Sequence, residues 1–265
     1  MYDQARRLGI PLLAGSSVPL AERRPATEMP ADARVVEAVA IHGGGRETYD
    51  FHGLELLQSM IEARRGGETG ISRVEFLTGP AFEKARNAGR WSGDLVAAAM
   101  AAERDAGTSR QQRPGRRGGA LLAEEPEGNH ALLVTYKDGT RGAVLKIGNT
   151  SDRWNFACRL EGQPQPLAVA FYNGPWGNLN LFSALSHAIA YCFRTGQPPY
   201  PVERTLLVSG ALDAAMRSHH AGGQPVETPE LEFGYQPQDF RAFRETGESW
   251  QVVTVETPQP TTFAP

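Results

Sequence analysis

The sequence predicts an α+β fold centred on a mostly antiparallel sheet. Three observations carry that prediction. Residues 130–148, HALLVTYKDGTRGAVLKIG, are two apolar-rich runs joined by Lys137-Asp138-Gly139-Thr140, and Asp-Gly between such runs is a strong hairpin signal. WNFACRLEG and PLAVAFYNG follow as further strand-like runs. The helical patterns alternate poorly with these later strands, which argues against a repeated strand-helix-strand architecture.

The elements follow in order. MYDQARRLG reads as a helix closing at Gly9, and IPLLAG after it as a buried strand, so the pair resembles half of a strand-helix-strand unit. Read literally, the chain opens on the last helix and strand of a parallel sheet. SSVPLAERRPATEMPADA has a period of neither 2 nor 3.6 and reads as an extended crossing segment. ARVVEAVAIHGGG is a strand running into a glycine turn, and ETYDFHGLELLQSMIEARR places Phe51, Leu54, Leu57 and Ile61 at helical spacing. ISRVEFLTG is again a strand, and PAFEKARNAG and SGDLVAAAMAAERDAG are two shorter helices.

Residues 107–128, with Arg110, Arg113, Arg116 and Arg117 among Gly, Gln and Pro, cannot build a core and read as a mobile loop. NLNLFSALSHAIAYCFRTG and PPYPVERTLLVSGALDAAMRSHH form the last two helices, the second starting after a proline-rich break. From Ala221 an extended tail is expected, with LEFGY and WQVVTVE as edge strands. The resulting division is 1–22, 23–220 and 221–265.

Composition narrows the function classes. The 265 residues carry 27 Lys and Arg against 30 Asp and Glu, a formal charge of −3, with 40% hydrophobic residues. That is an ordinary globular balance, and it lacks the basic surplus that general nucleic-acid binding requires. Cys158 and Cys192 supply neither a disulfide framework nor a C-x-x-C pair, which fits a reducing compartment. The opening has no signal-like apolar run, and no stretch approaches the roughly 18 apolar residues of a membrane span. A cytoplasmic protein without membrane or nucleic-acid partners is expected.

His52 is the first candidate for chemistry. It lies near the start of a long helix with Glu55 three residues on, and such a pair can transfer protons when the helix terminus and the carboxylate pull the imidazole in opposite directions. A histidine packed or capping locally is the alternative. Ser16 and Ser17 follow a strand end, where ligands gather in open α/β sheets, or else form a solvated turn. Arg23 and Arg24 can hold an anionic or hydroxylated substrate or stand solvated. Gly43-Gly44-Gly45 does not match G-x-G-x-x-G and reads as a turn into the helix. His52, His187, His219 and His220 show no metal-ligand spacing, so no metal is expected. Both cysteines fall in apolar patterns and read as core.

The order of elements resembles the Gfo/Idh/MocA (glucose-fructose oxidoreductase and inositol dehydrogenase) family. Its nucleotide domain ends in a helix of the type A-x-x-x-G-hydrophobic, then a strand ending near Gly, then a segment with Arg and Pro. Here stand Ala5-Arg6-Arg7-Leu8-Gly9-Ile10, PLLAG, and Arg23-Arg24-Pro25. A glycine turn and a helix with D-x-x-x-H come next in the family. His52 falls on the histidine, whereas Thr48 stands where the aspartate belongs, with Glu47 and Asp50 close by. The last two helices also match, so the resemblance covers about Met1 to Ser218.

The resemblance implies an open, mostly antiparallel sheet with helices on one face, the other face serving a homo-oligomer, preceded by a remnant helix and strand of a Rossmann domain. It implies hydride transfer between NAD or NADP and a sugar or cyclitol hydroxyl. His52 would be the acid/base residue, Arg24 and Glu55 would contact the sugar-like substrate, and Ser16 and Ser17 would lie at the cofactor. The glycine fingerprint and the family's E-K-P segment are missing, so the chain resembles the C-terminal portion and is expected neither to hold the cofactor nor to turn over by itself. The alternative is a non-catalytic sugar-binding or oligomerisation scaffold derived from the family.

Overall fold

The computed structural model describes residues 1–106, 128–174 and 178–246. In chain order its elements are α1 (Tyr2–Leu8), β1 (Glu22–Arg24), β2 (Val35–Gly43), α2 (Thr48–Ile61), β3 (Ile71–Thr78), α3 (Gly79–Asn87) and α4 (Gly93–Asp105). They continue as β4 (His130–Tyr136), β5 (Arg141–Lys146), β6 (Thr150–Leu160), β7 (Leu167–Tyr172), α5 (Asn178–Thr195), α6 (Val202–His220) and β8 (Val226–Glu227). The strands form one eight-stranded sheet in the order β1-β7-β6-β2-β5-β4-β3-β8. Among these pairings β2 with β5 is parallel and the rest are antiparallel.

The expected hairpin is β4 and β5. Asp138 closes its turn by accepting the Thr140 backbone N–H at 3.0 Å, and its other oxygen takes a 2.7 Å bond from Arg64 Nε. The strands do not simply meander onward. β2 enters between β5 and β6, because its sequence VVEAVAIHG is mostly apolar on both faces and is buried everywhere but Val36. A strand apolar on both sides belongs at the centre of a sheet covered on both faces.

That covering corrects the expectation of helices on one face. Under α2 and α6 lie Ala38, Ala40, Val144 and Phe156, packed with Leu54, Leu57 and Leu207. On the opposite face Val39, Ile41, Leu145 and Ala157 pack under Phe82 of α3 and Leu95 and Ala99 of α4. Each fully buried leucine, such as Leu57 or Leu95, contributes about 2 kcal/mol. An assembly of copies through this sheet would meet helix surfaces, not a bare strand face.

The expected strand IPLLAG is not one. Residues 10–15 join no ladder, and the two edges of the sheet are β1 and β8. The preceding helix is present and ends on Gly9 in the left-handed region, φ 65°. It is fastened to α6: Tyr2 Oη donates to Glu203 at 2.5 Å and Arg6 Nη1 at 2.9 Å. The crossing segment contributes β1, paired with β7. LEFGY makes a single bridge, Glu68 with Tyr235, and the edge strand is β8 instead. WQVVTVE and residues 107–127 lie outside the described residues. No described helix is long and apolar enough to cross a membrane.

Candidate functional site

One transverse row of the sheet holds three buried polar side chains, His42, Lys146 and His130. The register places Trp154 of β6 beside His42 of β2, His42 beside Lys146 of β5, Lys146 beside His130 of β4, and His130 beside Thr78 of β3. Ala38, Ala40, Val144, Leu132 and Val134 belong to the core under α2 and α6. Side chains alternate along a strand, so His42, Lys146 and His130 continue that same face at the end of the sheet where α2 begins.

Asp50, in the first turn of α2, closes over the row. Its Oδ1 lies 3.0 Å from His42 Nε2 and 2.7 Å from His130 Nε2, and an ionised carboxylate accepts from both. Its Oδ2 accepts the Glu47 backbone N–H at 2.8 Å, one half of a capping box. Both carboxylate oxygens are therefore used, and Asp50, His42 and His130 are buried. Burial alone would raise the Asp50 carboxyl, but the hydrogen bonds from His130 and His42 outweigh it and hold the group well below the ordinary carboxylate range. For His42 burial prevails over the attraction of Asp50, so its imidazole is pushed down and stays neutral at pH 7.

Aromatic rings wall the histidines. Tyr49 lies parallel to Trp154 with centroids 5.4 Å apart, and His42 is stacked 6.2 Å from the same indole. Gly44 makes room for this arrangement: a Cβ there would stand 2.0 Å from the Tyr49 ring. His52, one turn into α2, meets Tyr49 and Trp154 edge-on at 6.0 and 5.8 Å. Its ring is half-buried, and its Nδ1 is buried without a hydrogen-bond partner among the described residues. Burial, then the charge of His42, lower its pKa, leaving a neutral imidazole at pH 7.

The other anticipated residues have gone elsewhere. Glu55 does not meet His52; it is fully buried, accepting from Thr205 Oγ1 at 3.1 Å and from the Ser16 backbone N–H at 3.4 Å. Burial pushes its carboxyl up to about 7 against the opposing pull of Arg204, Thr205 and Ser16. Gly15, at φ 122°, lets the chain lie this close, since a Cβ there would stand 3.0 Å from Glu55 Oε2. Ser16 and Ser17 are buried, and Ser16 Oγ accepts the Val18 N–H at 3.3 Å. Arg24 stacks 3.7 Å over the Tyr172 ring and holds Glu22 through two bonds of 2.8 and 3.0 Å. It sits on β1, three places along the sheet from β2.

The fit to a dinucleotide is poor. Ser16 and Ser17 are enclosed by their own chain, and Gly43-Gly44 is filled by Thr150 and Tyr49. The glycine turn that leads into α2 thus gives a pyrophosphate no close backbone approach. A metal finds a better donor set: His42, Asp50 and His130 place one ligand atom each within 4.8 Å of one another. Lys146, buried in register between the two histidines, donates from Nζ to Asn149 Oδ1 at 2.7 Å, and the charge that disfavours a protonated His42 also disfavours a second cation.

Sequence reasoning missed His42 and His130 and passed over Asp50. The available signal was phase: each histidine sits at an inward position of an otherwise apolar strand, Ala38-x-Ala40-x-His42 and His130-x-Leu132-x-Val134. A polar residue continuing an apolar phase must find a buried partner.

No protein-family model matches the sequence. A search of curated proteins likewise finds no match. Among solved structures the chain is similar to a proposed NADPH-dependent oxidoreductase from Desulfitobacterium hafniense, at 12% identity and TM-score 0.48, over 87% of this chain and 68% of that one. It is similar to a myo-inositol dehydrogenase from Corynebacterium glutamicum, at 11% identity and TM-score 0.42, over 73% of this chain and 56% of that one. A third is the WlbA dehydrogenase from Bordetella pertussis in complex with NADH and UDP-GlcNAcA, at 12% identity and TM-score 0.41, over 75% and 57% respectively. The chain thus spans little more than half the length of the last two.

Proposed function

We infer that the chain is the substrate-side portion of an NAD(P)-dependent oxidoreductase of the Gfo/Idh/MocA type, acting on a sugar or cyclitol hydroxyl, with His52 as the proton-transfer residue. The observation that carries this reading is the placement of His52: a half-buried neutral imidazole at the start of α2, directly after a glycine turn and against the anchored His42–Asp50–His130 group. A nicotinamide, when bound, supplies the hydride acceptor. Ser16 gives its backbone N–H to Glu55 and accepts the Val18 N–H at its Oγ, so neither group is offered to the dinucleotide.

As the carbinol carbon is oxidised, its hydroxyl proton needs a base. A neutral imidazole accepts it at pH 7 without first losing a proton of its own. Asp50 does not take that proton. It is held ionised by two imidazoles and fixes the first turn of α2, and with it the position from which His52 projects. Tyr49 and Trp154 keep the ring's edge contacts constant and exclude water from its buried side.

A second reading, the non-catalytic sugar-binding scaffold, is favoured by one observation: Ser16, Glu55 and Arg24 all have partners within the chain. One experiment separates the two. Histidine C2–H resonances are followed by NMR while myo-inositol and glucose are added, alongside an NADH fluorescence titration. The enzyme reading expects a saturable shift of His52 that is lost with His52→Gln, and no saturable NADH binding by the chain alone. Polyol binding indifferent to His52→Gln assigns the scaffold instead. An absence of polyol binding overturns both.

A further inference from the structure

Away from the histidine row, three arginines converge on one phenylalanine. The guanidinium of Arg204 lies 4.5 Å from the centroid of Phe240, that of Arg244 5.7 Å, and that of Arg23 6.0 Å. They come from α6, from the segment after Phe240, and from β1, so the cluster is a product of the tertiary fold. Arg23 and Arg204 are buried, and the Arg244 side chain is 10% exposed.

Their carboxylate partners are too few. Arg204 holds Glu62 through bonds of 2.9 and 2.5 Å, while Arg23 and Arg244 share Glu28, the former at 2.8 Å. In these pairings among the described residues, three cations thus face two carboxylates. Arg241 does not alter the balance, because it pairs with Asp239. Glu55, which also interacts with Arg204, has a pKa near neutrality and carries only part of a charge there. Four guanidinium nitrogens, Arg23 Nε, Arg204 Nη1 and Arg244 Nε and Nη1, are buried with no hydrogen-bond partner among the described residues.

Buried guanidinium N–H groups left unpaired are costly, and the shortage here is of acceptors. Arg23 shows the strain electrostatically as well: burial first, then repulsion by Arg244 and Arg204, lowers its pKa to about 9. Arg23 and Arg244 line a cleft of about 390 Å³ whose other walls include Met29, Met60 and Ala63. That volume suits a small organic molecule and exceeds what a lone oxyanion fills.

We propose that this cleft is a binding site for a phosphorylated small molecule, with Arg23 and Arg244 gripping the phosphoryl oxygens and Met29, Met60 and Ala63 contacting the organic body. A phosphoryl group brings at least one negative charge and several strong acceptors, which answers both the surplus cation and the orphaned N–H groups. Its chemistry is separate from the proton transfer assigned to His52.

Calorimetric titration of the full chain with glycerol 3-phosphate, inorganic phosphate, glycerol and succinate tests the assignment. Glycerol 3-phosphate is expected to bind saturably with Kd of about 1 mM or tighter, inorganic phosphate more weakly, and glycerol not at all. Arg244→Gln should raise Kd at least about tenfold. Because loss of an arginine can disturb packing, Ala63→Glu serves as a second variant: residue 63 is exposed, and the new carboxylate should repel the ligand while leaving the melting temperature unchanged. Phosphate-ester affinity unaltered in both variants, absence of saturable binding, or succinate binding more tightly than either phosphate overturns the proposal.

Discussion

His130 Nε2 lies 2.7 Å from Asp50 Oδ1, although 80 residues separate the two in sequence. The contact joins the first strand after 107–127 to the first turn of α2, and it makes Asp50 the anion of a group with two imidazoles. Asp50→Asn should destabilise the fold by about 2–4 kcal/mol, because a neutral amide cannot accept two charge-assisted bonds at one oxygen and also cap the helix. Urea denaturation at pH 7.5 reads this directly, and a change within error of zero would remove the carboxylate from its structural role.

Glu55 and the histidines should pull the pH dependence of stability in opposite directions. His42 and His52 have lowered folded pKa values, so the unfolded chain binds more protons below its value of 6.5, and their contribution is lost as pH falls through that value. Glu55 is raised from 4.5 to about 7, so its contribution is fully present below 4.5 and is lost as pH rises to about 7, a penalty of about 3 kcal/mol above that point. Unfolding free energies between pH 5.5 and 8 should therefore become steeper with pH in Glu55→Gln, flatter in His52→Gln, and higher at pH 8 in Glu55→Gln than in the unsubstituted protein. Parallel curves for all three would contradict the assignment.

Gly44→Ala should displace Tyr49 from Trp154. The added methyl would stand 2.0 Å from the phenol ring, which cannot shift without leaving its parallel contact with the indole. A loss of about 1–3 kcal/mol is expected, with a changed near-ultraviolet dichroism of the tyrosine and tryptophan. Retention of that signal at full stability would show that the stack is dispensable.

Arg204→Met should cost about 3–5 kcal/mol, since Glu62 would be left buried with only the Tyr235 hydroxyl, at 2.8 Å, among its present partners. Replacing both residues, Arg204→Met with Glu62→Leu, should recover a large part of the loss. A double variant as unstable as the single one would place the cost in lost packing against Phe240 instead of in the orphaned carboxylate.

Much of this fold was legible because its local signals agree with its tertiary needs. The Asp138-Gly139 turn, the spacing of Leu54, Leu57 and Ile61, and Gly9 at a helix end each act within a few residues. IPLLAG misleads because an apolar run becomes a strand only where the chain lays it beside a ladder, and this segment instead runs against Glu55 and Thr205 at Gly15. The expectation of helices on one face comes from the family resemblance, and no local pattern assigns α3 and α4 to a side; Val39 and Ile41, apolar like their neighbours Ala38 and Ala40, mark the second covered face. For the candidate site, the position after the glycine turn points to His52, whereas its partnership with Glu55 rests on helical spacing alone. Competition from Thr205 and the Ser16 N–H decided where that carboxylate went.

The transverse row from Trp154 through His42, Lys146 and His130 to Thr78 draws one residue from each of five strands. No contiguous stretch of polypeptide contains the histidine group, so it comes into being only when β2 has been threaded between two hairpins and every register is correct. A one-residue slip of any of these strands would turn its member of the row to the opposite face, away from Asp50. The polar centre thus acts as a proofreading device for assembly: misregistered sheets forfeit it, and the cost of burying its charges unpaired falls on those wrong arrangements alone.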